Sequence, residues 1–125
     1  MNLNKIVIGT ANFGNQYSIK GIKKLETKEI EKILNFAYKK KIRNIDTAPV
    51  YGNSESILGK IGLKDWRVST KIQLKKNCKN HHDFILSSVS KSLNNLKIDK
   101  LENLLVHSTL GEFNKKEKIR IIETL

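Results

Sequence analysis

Hydrophobic and polar positions change their period four times along this chain. Residues 5–10, KIVIGT, form a short β-branched run stopped by glycine, which predicts a buried strand. A glycine-punctuated loop, ANFGNQYSIKG, follows. Thr27 then offers a helix N-cap, with Glu29 and Glu31 in the first turn where the helix dipole favours acids. Ile30, Ile33, Leu34 and Ala37 fall at i, i+3, i+4 and i+7, one face of an amphipathic helix that runs out in the cations of YKKK. IRNID reads as a second strand, and a short helix from Ser54 carries Ile57 and Leu58 until Gly59 or Gly62 ends it. RVSTKI is a third strand. Asp83 is the expected cap of the next helix, whose apolar face is Leu86, Val89, Leu93 and Leu96, with Ser90 and Lys91 outward. LENLLVHS supplies a fourth strand, and residues 115–125 a last helix with Ile119 and Ile122 on one side and Ile121 beside them.

Strand and helix therefore alternate in units of about thirty residues, the size of a βαβ crossover. Strands rich in Ile, Val and Leu between amphipathic helices imply a parallel sheet covered by helices, class α/β. A doubly wound sheet would carry G-x-G-x-x-G after the first strand, whereas GTANFG has only Gly9 and Gly14. The pattern fits the first four βα units of a (β/α)8 barrel, one domain over residues 1–125.

Composition changes this picture little. The length suits a single core, and the lone Cys78 allows no internal disulfide framework and fits a reducing compartment. No apolar run approaches the ~20 residues of a membrane span, and the start is too soon interrupted for a signal peptide, so a cytoplasmic location is expected. The net charge of +12 raises the question of a nucleic-acid partner. Only Arg43, Arg67 and Arg120 could grip phosphates or bases in bidentate fashion, and the lysines are spread along the whole chain. A solvated lysine surface, able to attract an anionic substrate or cofactor, is the better reading. The segment KKNCKNHH brings Cys78, His81 and His82 together, but the second ligand pair of a zinc site is missing, so a polar loop is expected there and no metal.

The candidate chemistry lies at the carboxyl ends of the strands, where barrel enzymes keep their reacting groups. Asp46 follows the second strand, Lys71 closes the third and His107 the fourth, with Tyr51 in the loop NIDTAPVYGNSE. Each alone has an ordinary explanation: a strand-end cap, a packing phenol, a solvated amine, a core imidazole. Together they can converge, because neighbouring strands lie about 4.8 Å apart. A lysine beside a phenol favours the phenolate, an aspartate facing that lysine favours its ammonium form, and a histidine can hold a carbonyl oxygen. Such a site protonates an oxygen while an electron pair reaches the adjoining carbon.

At these residues the chain resembles the amino-terminal half of the aldo-keto reductases, a (β/α)8 family of NADPH-dependent oxidoreductases. IGTANFG is similar to that family's first strand and loop, NIDTAPVYGNSESILGK to its second strand, tyrosine loop and short helix, STKI to its third strand and LENLLVHS to its fourth. The resemblance implies carbonyl reduction to an alcohol, with Tyr51 as general acid, Lys71 tuning it, Asp46 pairing with Lys71, and His107 orienting the carbonyl. It also implies NADPH binding through Gly9, Thr10 and Ala11, with Asp46 near the nicotinamide ribose. The opening GTANFGNQYSI and the motif YGNSE are most like bacterial members from sugar and surface-polysaccharide pathways, which suggests a sugar-like carbonyl substrate. Ser54 and Glu55 are expected to begin the short helix rather than take part in catalysis, while Asn12 and Gln16 lie near the proposed mouth.

Four units are half of a barrel, so this stretch reads as ending in the fourth helix. Unpaired edges at the first and fourth strands invite either self-association or a complementing carboxyl-terminal half. Inward-facing Ile and Val would then lack partners across the barrel. A catalytically inactive half-barrel remnant or binding module is the alternative reading.

Overall fold

The computed structural model describes residues 5–14, 25–76, 78–107 and 110–125. Among these, strands and helices alternate in the order β1 (Val7–Gly9), α1 (Thr27–Lys39), β2 (Asn44–Asp46), α2 (Ser54–Ile61), β3 (Arg67–Ile72), α3 (His81–Leu96), β4 (Asn103–Val106) and α4 (Lys115–Thr124). The strands make one sheet in the order β1-β2-β3-β4, every neighbour parallel. This is the arrangement of the first four βα units of a (β/α)8 barrel. No helix among the described residues is long and apolar enough to cross a membrane.

Side-chain alternation along the strands explains which face is covered. In β3, Val68, Thr70 and Ile72 are buried against the helices, while Arg67, Ser69 and Lys71 point the other way. The register continues this split: Ile8, Ile45 and Val68 align in one row, and Gly9, Asp46 and Ser69 in the next. The core thus sits between the sheet and its helices. One cluster joins Ile30 and Leu34 of α1, Ile57 and Leu58 of α2, Ile45, Val68 and Leu96; a second joins Ile72, Ile85, Phe113 and Ile121.

This arrangement corrects one expectation. The inward-facing set is not an Ile and Val layer. The isoleucines of β1, β2 and β3 face the helices, and the opposite face carries Asn44, Asp46, Arg67, Ser69, Lys71 and Asn103, with only Val7 and Leu105 as large apolar side chains.

Several local expectations shift as well. The N-cap of α1 is Glu26 rather than Thr27; its amide donates to Glu29 at 2.7 Å, so the acid expected in the first turn closes the helix start. The N-cap of α3 is Asn80 rather than Asp83, because the Asn80 side chain accepts the Asp83 amide and the helix begins three residues earlier. His81 is accordingly the buried first residue of α3 and not part of a polar loop. The apolar face of α3 is as expected at Leu96, which is buried, and at Val89, which packs on the second cluster, but Leu86 is exposed and Ile85 is buried in its place, with Ser92. In α4 the central Ile121 is buried while Ile119 and Ile122 are exposed, and in α1 Ile33 is exposed beside buried Ile30 and Leu34. A run of adjacent isoleucines fits several helical phases, and only packing selects one.

Candidate active site

The sheet register sets the first contact of the site. Asp46 is paired with Ser69, and Lys71 lies two residues further along β3 on the same face, roughly 6.6 Å on. The lysine side chain leans back across that step. Its Nζ donates to Asp46 Oδ2 at 2.5 Å and to the Thr47 carbonyl at 3.1 Å. The pair is only partly screened from water, with 16% of the Lys71 side chain and 31% of the Asp46 side chain exposed.

Tyr51 arrives from the β2–α2 loop. A turn closes behind Ala48, whose carbonyl accepts the Tyr51 amide at 3.0 Å, and Gly52 follows with φ 66°, a left-handed conformation that suits glycine. The loop lays the phenol under the lysine, whose Nζ stands 5.2 Å from the ring centroid. His107 continues the β4 ladder by donating its amide to the Ile72 carbonyl at 2.8 Å. Its imidazole meets the Tyr51 ring edge-on, centroids 5.9 Å apart and planes at 80°. All four residues named from the sequence therefore come together at the carboxyl end of the sheet. An ammonium tied to a carboxylate, a phenol beside it and an imidazole against that phenol can deliver a proton to an oxygen and hold the charge left behind.

The residues after β1 divide. Gly9 pairs with Asp46 in register and is exposed on the same face, with nothing within 4 Å of where a Cβ would stand. Ala11 is half-buried in a short helical turn, and Asn12 beside it is exposed. Thr10 is fully buried, and its hydroxyl donates to the Asp46 carbonyl at 3.1 Å. Gln16 lies outside the described residues.

Sequence reasoning did not anticipate what stands behind these groups. Ser54 Oγ donates toward Thr10 Oγ1 at 3.0 Å and lies 3.3 Å from Thr47 Oγ1, so three fully buried hydroxyls knit β1, β2 and α2 together directly under Asp46. Glu55, 3% exposed, accepts from Thr70 Oγ1 at 2.8 Å and from Asn95 Nδ2 at 3.4 Å, tying β3 next to Lys71 to α2 and α3. Strand parity held a signal for the hydroxyls, since Thr10, Thr47 and Thr70 each fall on the helix-facing phase. Cys78, His81 and His82 do not converge as ligands: no group of three metal-binding side chains exists among the described residues.

Comparison with known proteins agrees with this geometry. The family model described as the aldo/keto reductase family matches residues 5–125. A candidate aldo-keto reductase from Pseudomonas aeruginosa, known from its crystal structure, superposes with a TM-score of 0.69 and 30% identity, covering 82% of this chain and 42% of that one. A thermostable aldo-keto reductase solved with the inhibitor epalrestat superposes with a TM-score of 0.69 at 22% identity over 94% of this chain and 43% of its own, a likeness of fold. Among curated proteins none matches. The chain spans less than half the length of the structures it resembles. With the family model matched from residue 5 to residue 125 and the sheet of four βα units in place, this chain belongs to the aldo/keto reductase family.

Proposed function

We propose that this chain carries the proton-delivering half of an NADPH-dependent carbonyl reductase site. The observation that carries the reading is the triple placement of Lys71: ion-paired to Asp46, bonded to the Thr47 carbonyl and poised over the Tyr51 ring, with the His107 ring edge-on to that phenol. Tyr51 gives its hydroxyl proton to the carbonyl oxygen of the substrate. The phenolate that remains is stabilised by the Lys71 ammonium, which the ion pair with Asp46 holds in place. His107 donates an N–H to the carbonyl oxygen and fixes its approach.

The residues present fit the nicotinamide end of a dinucleotide. Exposed, side-chain-free Gly9 lies beside Asp46 and leaves open floor on the sheet face where a flat ring can settle. Gly9, Ala11 and Asp46 would hold it, with the Thr10 backbone shaping the turn. A bound nicotinamide supplies the hydride equivalent that the side chains lack. The polar sheet face favours a hydroxylated, sugar-like carbonyl substrate over an apolar one.

Closure is part of the proposal. The edges of β1 and β4 pair with no other strand among the described residues. Further βα units, on the same chain or on a complementing one, would cover the open face and complete the cofactor grip; self-association of two copies is the other route. The uncovered face favours the second reading, a catalytically silent assembly module, wherever such closure is missing.

The test is NADPH oxidation followed with a panel of aldehydes and aldoses, for the chain alone and with four closing βα units supplied. Turnover that is lost in Tyr51→Phe while NADPH binding persists supports the assignment. Turnover retained in that variant overturns the role of Tyr51. NADPH binding without turnover in every assembly leaves the module reading.

A further inference from the structure

Phe84, Ser88, Lys91 and Ser92 fall at i, i+4, i+7 and i+8 along α3, one face of that helix. With Glu55 at the start of α2, and with Val50 and Gln73 from the loops after β2 and β3, they line a cavity of about 260 Å³. Its walls come from residues 49–92, the two inner βα units, so they stand clear of the open edges at β1 and β4. Glu55 reaches Thr70 on the helix side of the sheet, whereas Asp46 and Lys71 lie on the other side.

Two buried groups of this lining have unused hydrogen-bonding capacity. Ser92 is 2% exposed, and its hydroxyl bonds to no group among the described residues. A serine inside a helix either faces water or returns its proton to the carbonyl one turn back. Ser88 does the latter, donating to the Phe84 carbonyl at 2.7 Å, while Ser92 does neither. Among the described residues the unpartnered side-chain atoms sealed from solvent are the two ring nitrogens of His81, so the Ser92 hydroxyl keeps an opening, and the cavity it lines supplies it. Glu55 is 3% exposed and has no cation in ion-pair reach; the ion pairs among the described residues are Lys71–Asp46 and His82–Asp83. Its carboxylate accepts from Thr70 Oγ1 at 2.8 Å and from Asn95 Nδ2 at a long 3.4 Å, which leaves acceptor positions for further donors. Withdrawing a carboxylate from water is costly until such donors are in place.

The lining also decides the charge of the occupant. An anion would be repelled by the buried carboxylate of Glu55. A cation would meet Lys75 and Lys91, the former kept there with its ammonium 5.6 Å from the centroid of the Phe84 ring. A neutral molecule carrying several hydroxyl donors satisfies both constraints. Pro49, Val50 and Phe84 add carbon surface beside the polar groups, which suits the C–H face of such a molecule. The volume lies just below the range of about 300–1,000 Å³ usual for ligand pockets, so the occupant is small.

We infer that this cavity is a binding site for a small neutral polyol or monosaccharide, whose hydroxyls donate to Glu55 and bond with Ser92 while its carbon face rests on Phe84 and Val50. It is separate from the carbonyl site and does not depend on that reading.

Erythritol and glucose are titrated separately into the full chain, with correlation spectra recorded on the backbone amides and the aromatic rings. Saturable shifts are expected at the Ser88 and Ser92 amides and the Phe84 ring. Ser92→Ala removes a hydroxyl that has no protein partner to lose, so it should keep the fold and weaken binding by about fivefold. Glu55→Gln replaces the charged acceptor and should weaken binding by about tenfold. If Glu55→Gln fails to fold, Ser92→Ala carries the comparison. Shifts that do not saturate, that centre on Tyr51 and His107, or that survive unchanged in the variants overturn the inference. So does saturable binding of ethanolamine or inorganic phosphate at this cavity with none of either polyol.

Discussion

A Cβ built on Gly14 would stand 1.5 Å from the carbonyl oxygen of Tyr51. The loop after β1 and the loop that carries the candidate acid are thus pressed backbone to backbone, with no room for even a methyl group. Gly14 has φ −91°, ordinary for any residue, so its requirement is space and not conformation. Gly14→Ala is expected to push the Tyr51 loop away and to destabilise the fold by about 1–3 kcal/mol. Denaturant titration checks the stability, with Asn12→Ala, on an exposed neighbour, as the control that should change little.

Tyr51→Phe tests the acid directly. Loss of a positioned general acid is expected to lower carbonyl reduction by about 100- to 10,000-fold, far more than any accompanying change in stability. Rates and unfolding midpoints for the same preparation separate the two effects.

Lys71→Met and Asp46→Asn act on the charge beside the phenol. Because the pair is partly open to water, either change should alter stability by about 1 kcal/mol or less. Turnover should nonetheless fall by about 100-fold or more, since the stabilisation is needed where charge develops. Raising salt should restore neither variant. A large stability loss with unchanged turnover would make the pair structural.

Glu55 separates scaffold from chemistry. Glu55→Ala leaves the fully buried Thr70 hydroxyl without its acceptor and should cost about 1–3 kcal/mol. Glu55→Gln retains a carbonyl acceptor and should cost less, with catalytic rates near those of the parent. A specific rate defect in Glu55→Gln, with the fold intact, would move this residue into the reaction.

Much of this was legible in the sequence because the tetrad residues sit where periodicity breaks. Asp46 and His107 each end an apolar run and Lys71 lies one residue from the end of β3, and the limits of β3 and the start of α2 were readable from β-branched alternation and from Ser54. Helix phase was not readable where apolar residues are adjacent: Leu86 competes with Ile85 for the interior, and Ile119 and Ile122 with Ile121, and the neighbouring element decides. Caps were misplaced by one to three residues because Glu26 and Asn80 compete with the nearby Thr27 and Asp83 for the same amides. Gly14 gave no local signal at all, since its reason is a backbone 37 positions later in the chain, Tyr51.

The polarity of the uncovered sheet face decides how closing elements would dock. The isoleucines of β1, β2 and β3 already face the helices, so a closing element would meet a mostly polar sheet face rather than a lid of hydrocarbon. Whatever seats itself over this face meets the Arg67 cation beside Asn44, Ser69 and Asn103, whose side chains are already hydrogen-bonded, and must offer polar groups and negative charge. Assembly of the two halves should therefore be governed by directional pairing and weaken as ionic strength rises, a half-barrel that recognises its complement more as a polar interface does than as a split core would.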